Sequence, residues 1–521
     1  MTTQSQSISI IGSANQHRSP NLDAEVSINL YPEIVDGGNP KAPVVLIGTP
    51  GTIVWADFAS FGVTGACRGT AYAGNKLFVC FGTGVYRVDV NQFTNVKTPV
   101  LIQSISAGNS RVKFATDGFH LLFVDGSSMW AVDLATYTVE TVVIDAFAFP
   151  KDIVYMYSRF FCINNDPTNG TTNPVSGVQQ NQNKVFWSDV GVTGYLSWGG
   201  LNYESASLTS SPITAIRLRH GELWLMKSDG YEVWSFTGVY EAPLARVQGS
   251  PSSVGCLAAD AAVDIADNIY WIGSAATGKN QVFMTSSGYG AQRISTHAIE
   301  YAMDEANSQG LSTTDFVGFA YQMEGHLFYV ITSRNMNQTF VYDVLTGIWH
   351  RRSTRNTTSN TDGYWLPMFA IYAYDTVLVA NDSKPMLLQL DLDAYMDYVD
   401  PVTNIGTAPL IRIRRTTPIW FDLKPFMIRE VVVDLETGVG LTLGQGSSPM
   451  MNIRVSLDSG HSWGNYRAVD IGKIGNYSAR ARSRGMGMAH SGCAVFEFSI
   501  SDPVRVVIID AMLYFEVSRN R

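Results

Sequence analysis

The chain has 521 residues, of which 45% are hydrophobic, 12% aromatic and only 16% charged, against the ~25% charge usual in soluble domains. That length exceeds one ordinary domain, although a β-propeller can absorb several hundred residues. A net charge of −9 with no Lys/Arg cluster excludes a module that grips DNA, though not a surface along which DNA slides.

Residues 1–45 are polar and irregular, running through Ile28-Asn29-Leu30-Tyr31-Pro32-Glu33 to Asp36-Gly37-Gly38-Asn39-Pro40, and predict an extended arm. The opening residues lack a basic region followed by an apolar one, so no secretory signal is expected. No apolar run approaches the ~20 residues that span a bilayer. The expectation is synthesis in a cytoplasm without membrane insertion. A short apolar strand over 43–50 then closes on the turn signal Thr49-Pro50-Gly51.

From residue 46 to about 400 the chain repeats a loose unit of turn, apolar strand, turn, and a second strand ending near an Asp. The clearest copies pair 74–80 with 84–89, 118–124 with 128–133, 158–163 with 184–189, and 220–226 with 231–236. Weaker copies begin near Asp267, Gly325 and Tyr374. A period of roughly 40–60 residues is that of propeller blades, which must stack around an axis to close their cores. Six or seven blades are predicted over 46–400. The Asn/Gly/Gln-rich stretch 164–183 is expected to form a long loop on one rim. A helix is predicted over 298–308, with Ile299, Met303 and Ala306 at helical spacing and Gly310 as its stop.

After Pro401 longer runs alternate apolar and polar residues, as in 428–435, 451–457, 494–500 and 504–517. Strands showing one face to a core and one to water predict a β-sandwich over 401–521. The fold class is therefore all-β, a propeller followed by a sandwich.

Chemistry-bearing motifs are sparse. Ser456-Leu457-Asp458-Ser459-Gly460-His461-Ser462-Trp463 matches the Asp box of sialidase-like propellers, with Ser in place of Thr. The box occurs once, outside the repeats, so a hairpin shaped by Asp and Gly over a packed Trp is the stronger reading. A glycan-cleaving propeller would also need an arginine cluster, a tyrosine and a carboxylic acid on converging loops. Nothing in the sequence selects such a set. Asp89, Asp133, Asp189 and Asp343 end second strands at matching places, as turn-formers do. Arg480, Arg482 and Arg484 alternate, and on a strand they would share one side, as a solvated edge or a contact for DNA phosphates or an acidic partner. Eight histidines and five scattered cysteines (Cys67, Cys80, Cys162, Cys256, Cys493) form no metal-ligand spacing, and buried free thiols are expected. No catalytic, cofactor or metal residue is predicted, and no cofactor.

The order of these features resembles the tail-hub proteins of short-tailed bacteriophages, known as packaged-DNA stabilisation proteins. The resemblance rests on Asn29-Leu30-Tyr31-Pro32-Glu33 with Gly48-Thr49-Pro50-Gly51, the propeller-like middle, Arg293-Ile294-Ser295-Thr296-His297-Ala298-Ile299-Glu300, and the sandwich with its Asp-box-like hairpin. It implies a non-enzymatic virion protein of the phage tail. Copies, six in that family, would form a ring below the portal and its adaptor that extends the DNA channel and helps retain the packaged genome. The ring would anchor tailspikes, tail fibres or a tail needle, and viral DNA would pass without sequence-specific binding. The alternative is a glycan-binding or sialidase-like propeller that recognises a host receptor. A secreted scaffold propeller is a weaker third reading.

Overall fold

The computed structural model describes all residues except 1–2, 38–40, 109, 145–146, 166–181, 210, 313–314, 357–360, 382, 399–406, 423 and 519–521. Seven blades circle one axis. Their sheets lie at 67–104, 113–141, 150–205, 213–246, 255–293 and 317–352, and the seventh combines 367–391 with Gly51–Asp57. The predicted six-or-seven blades are thus seven, and the three weak repeats are the last three. The innermost strands, from Cys67–Ala73 round to Pro367–Ala373, touch their neighbours in ring order and close the circle.

The recognisable repeat units are the two middle strands of each blade. Lys76–Phe81, Arg159–Asn164 and Thr376–Asn381 are buried nearly throughout, because each lies between two neighbouring blades. A strand covered on both faces reads as a continuous apolar run. The outermost strand Lys97–Ser104 has no fully buried residue and hides from such a reading.

The ring closes by strand exchange between distant ends of the propeller. Gly51–Asp57 forms the outer edge of the seventh blade, antiparallel to Met386–Asp391, with Met386 opposite Asp57 and Asp391 opposite Gly51. A Cβ on Gly51 would stand 2.3 Å from the Met396 carbonyl oxygen and 2.4 Å from that of Ala394.

The sandwich packs two sheets over a core that includes Leu30, Leu46, Phe426, Ile428, Ile453, Phe496, Phe498, Leu513 and Phe515. One sheet contains Gln4–Ile8, Leu30–Ile34, Val44–Gly48, Val507–Val517, Phe426–Leu435 and Ala481–Ala489. The other contains Val26–Ile28, Arg412–Arg415, Cys493–Ile500, Met450–Ser456 and Arg467–Asp470. The arm expected over 1–45 therefore needs correction, because its described part supplies three strands to the sandwich. Short polar strands such as Gln4–Ile8 draw their stability from pairing with Val507–Val517, which no local periodicity reveals. The expected loop over 164–183 falls mostly on residues outside those described, as does the domain boundary at Pro401.

Val26–Ile28 joins the two units. It pairs in parallel with Trp349–Arg352 of blade six and antiparallel with Arg412–Arg415 of the sandwich, so one ten-stranded sheet runs through both. Asn29, in the left-handed region at φ 54°, follows it. Its amide donates to the carbonyls of Ser353 (3.1 Å) and Ile411 (2.9 Å), and its Oδ1 accepts from the Ser353 N–H (3.0 Å). Tyr31 packs edge-on to His326 and Phe328. The buried His326 lies 2.9 Å from Asp343 and 2.8 Å from Glu33. Glu25 and Arg414 form a second buried ion pair across the seam.

The helix spans His297–Ser308, with Thr296 capping its N-terminus and Ile299, Met303 and Ala306 buried. Gly310, at φ +83°, donates to the Asn307 carbonyl at its end. Arg293 clamps Glu300 through two bonds of 2.6 and 2.7 Å, tying blade five to the helix.

Replacing Gly51 by Val is expected to destabilise the closed ring by about 2 kcal/mol through overpacking against backbone; a lowered urea midpoint reads this out. The seam also carries a pH signature. The hydrogen bond to Asp343 raises the pKa of His326 above its usual 6.5, so its contribution is complete below that value and fades as pH rises through the raised one. Burial depresses His350 to about 3, so stability falls as pH drops from 6.5, where only the unfolded chain takes up that proton. For these two groups stability should peak near pH 6.5. His326→Gln should flatten the alkaline side in thermal melts, and an unchanged slope would exclude this origin.

Candidate functional site

Two charged clusters compete as the functional centre. The first bridges the propeller axis. Lys113 of blade two reaches Asp260 of blade five at 2.9 Å, and Arg111 donates to the Met368 carbonyl of blade seven at 3.3 Å. Arg217 pairs with Asp152 at 2.6 Å and lies 3.8 Å from Asp264. Burial pushes Asp264 up to about 6 against the pull of Arg217, whereas Lys113 and Arg111 overcome burial at Asp260 and hold it well below the usual carboxylate range. Side chains from different blades thus meet across the axis and brace the ring.

The second cluster lies in the crease where blade six meets the sandwich. It is a cavity of about 490 Å³ lined by Arg351, Arg355, Arg415, Arg454, Asp362, Tyr466 and Glu497 among others. Glu497 is almost fully buried and saturated. Arg415 donates to its Oε2 at 2.6 Å, while Arg454 and the Tyr466 hydroxyl reach its Oε1, each at 2.6 Å. Trp463 lies against both arginines, its ring 4.6 Å from the Arg415 guanidinium and 4.7 Å from that of Arg454.

This gives the Asp-box hairpin its role. Ser456 Oγ donates to Asp458 Oδ1 at 2.6 Å and accepts from the Gly460 N–H at 2.8 Å, and the Ser462 N–H donates to Asp458 at 2.8 Å. Slight burial raises the Asp458 pKa, but the bonds from Ser456 and Ser462 outweigh it and hold the carboxyl at about 2. The turn is built to present Trp463 to the arginines.

Arginines, a tyrosine and carboxylates therefore do converge, as a glycan-cleaving site would require. Their chemistry differs, however. Burial and the Glu497 carboxylate push the Tyr466 phenol up to about 12, so it keeps its proton at neutral pH and is no nucleophile. Glu497 is committed to two guanidinium groups, as a buried carboxylate must be. The arrangement can hold an anion, while its tyrosine is not activated as a nucleophile.

Of the aspartates at strand ends, Asp133 and Asp343 shape turns as read from the sequence, whereas Asp89 and Asp189 bond to neighbouring side chains. Asp133 accepts from the Ala135 and Thr136 N–H groups at 2.7 and 2.9 Å, and Asp343 from that of Leu345 at 3.0 Å. Asp189 accepts from Asn202 at 2.8 Å, and Asp89 pairs with Arg87 and Lys76 at 2.6 and 2.9 Å. Arg482 and Arg484 are exposed on the edge strand Ala481–Ala489, and Arg480 is exposed just before it; Arg484 meets Glu430 at 3.2 Å. All five cysteines are free, four of them buried. Among the described residues no group of three or more His, Cys, Asp or Glu side chains could hold a metal ion. Sequence reasoning missed the crease, because its four arginines and Glu497 sit on five separate strands.

Together these features define an all-β protein in which propeller and sandwich share one sheet. The chain belongs to the family described as Bacteriophage P22 Gp10: its β-propeller model matches residues 6–395 and its β-sandwich model residues 412–516. It is thus a structural protein of a bacteriophage tail, and its place is the virion. Among curated proteins no match was found. Similar solved structures include the N-terminal domain of Nup159 (9% identity, 66% of this chain and 94% of that one, TM-score 0.37) and the Neurospora crassa Pan2 WD40 domain (8%, 66% and 95%, TM-score 0.38). The chain covers 39% of the extracellular domain of a hybrid two component system from B. thetaiotaomicron (10% identity, 66% of this chain, TM-score 0.37). Likenesses this distant carry no functional argument.

Trp463→Ala is expected to lower stability by about 1–2 kcal/mol as two cation–π contacts are lost. Trp463→Phe should recover part of it. Equal urea midpoints for Trp463→Ala and wild type would remove the bracing role.

Proposed function

We propose that this protein forms the tail hub or nozzle, a ring of about six copies below the portal and its adaptor. The observation that carries this reading is the family match across both domains. In it the ring extends the DNA channel, helps retain the packaged genome, and anchors tail fibres, tailspikes or a needle. The bridged propeller axis supports a channel that runs between copies rather than through any one of them. A formal net charge of −9 suits a conduit wall that does not hold DNA. The shared sheet and the paired charges at the seam suit a part that transmits load without hinging. The role is structural, without catalysis.

The experiment is the mass of the purified chain, alone and mixed with portal–adaptor complex, by light scattering. The expected outcome is a particle of about six 57.1 kDa copies, at least on the adaptor. A stable monomer that also ignores the adaptor would overturn the reading.

A further inference from the structure

The crease holds more positive charge than its own carboxylates neutralise. Arg415 and Arg454 share the single carboxylate of Glu497, and Arg355 pairs with Asp362 at 2.9 Å. The Arg351 side chain has no hydrogen bond or ion pair among the described residues, and its Nε is buried without a partner. Burial and the neighbouring Arg415 lower its pKa to about 10, partly countered by Asp362, so it remains a cation at neutral pH. A half-buried guanidinium with a like charge as neighbour and no carboxylate of its own is favoured by an anion that completes it.

The rest of the lining indicates the kind of anion. Asn452, Ser499 and Ser501 face the cavity with side-chain amide and hydroxyl groups that make no bond among the described residues. Val26, Ile28, Ile411 and Ile413 supply aliphatic surface beside them. A volume of about 490 Å³ lies within the range of small-ligand sites. Asp362 and Glu497 border the cavity and would repel a continuous polyanion such as a nucleic-acid backbone, whereas one carboxylate can reach Arg351 between them.

We propose that this crease is a binding site for an acidic sugar unit, with Arg351 receiving the carboxylate and Asn452, Ser499 and Ser501 receiving ring hydroxyls. Trp463 and Glu497 are positioning residues that hold Arg415 and Arg454 at the wall. No bond is made or broken, because Tyr466 is protonated and Glu497 is neutralised. Binding to the free chain is read without ring assembly, so failure of one reading leaves the other standing.

The test uses the full-length chain, with galacturonate, galactose, inorganic phosphate and acetyl-glutamate-amide as probes, read by isothermal titration and ligand-observed NMR. Galacturonate should bind most tightly, with galactose weaker by about tenfold or more for loss of the charged contact. Arg351→Met should weaken galacturonate by about tenfold or more while leaving the melting temperature unchanged or raised, since it removes an unpaired, half-buried charge. Arg482→Met, on the far exposed edge, should bind as wild type does. Absence of galacturonate binding, or equal binding by Arg351→Met, would overturn the proposal. So would tighter binding of phosphate, or of acetyl-glutamate-amide, which would mark the crease as a receptor for phosphate or for an acidic protein side chain.

Discussion

The structure depends on three residues pairing on both sides. Val26–Ile28 has few residues of its own to stabilise it, yet it satisfies the outer edge of blade six and one edge of the sandwich at once. Exposed strand edges offer unpaired backbone groups to any passing chain, and a shared strand removes two such edges together. Asn29 completes the join, since its amide and carbonyl groups bond to the segment after blade six and to the segment that enters the sandwich. A positive φ costs Asn less than most residues, which allows the chain to turn out of one sheet and into the next.

Ring closure and domain joining are therefore one event. The chain enters through the sandwich at Gln4–Ile8 and crosses the seam at Val26–Ile28. It then returns to the sandwich through Leu30–Ile34 and Val44–Gly48, and latches blade seven with Gly51–Asp57. The two parts cannot separate without breaking both sheets. Ion pairs set within this frame brace it further, at the axis through Lys113 and Asp260, and at the seam through His326 and Glu25. The crease inherits its shape from the same junction, because Arg351 comes from blade six while Arg415, Arg454 and Glu497 come from the sandwich.

Much of this was legible in the sequence, and the reason is burial. Middle blade strands such as Lys76–Phe81 and Glu222–Lys227 are covered on both faces, so they stand out as apolar runs between turns. Sandwich strands such as Phe426–Leu435 alternate because one face is wet. The helix announced itself through Ile299 and Met303, both fully buried. The Asp-box hairpin was legible as a turn, since Asp458 makes its bonds within seven residues of chain. The partners of Trp463 were not, since Arg415 and Arg454 come from other strands.

The sequence by itself determined an all-β chain, its propeller followed by a sandwich, its helix after blade five, and its resemblance to phage tail-hub proteins. Each of these follows from local periodicity, turn chemistry and the order of short motifs. Only the tertiary structure decided that the described part of residues 1–45 supplies strands to the sandwich, that the blades number seven, that the axis is bridged, and that four arginines meet at one crease. Those facts rest on pairings across hundreds of residues, such as Val26 with Arg415 and Gly51 with Asp391. A polar strand carries no local mark of the partner that buries its backbone, and a charge carries none of the distant charge it will face.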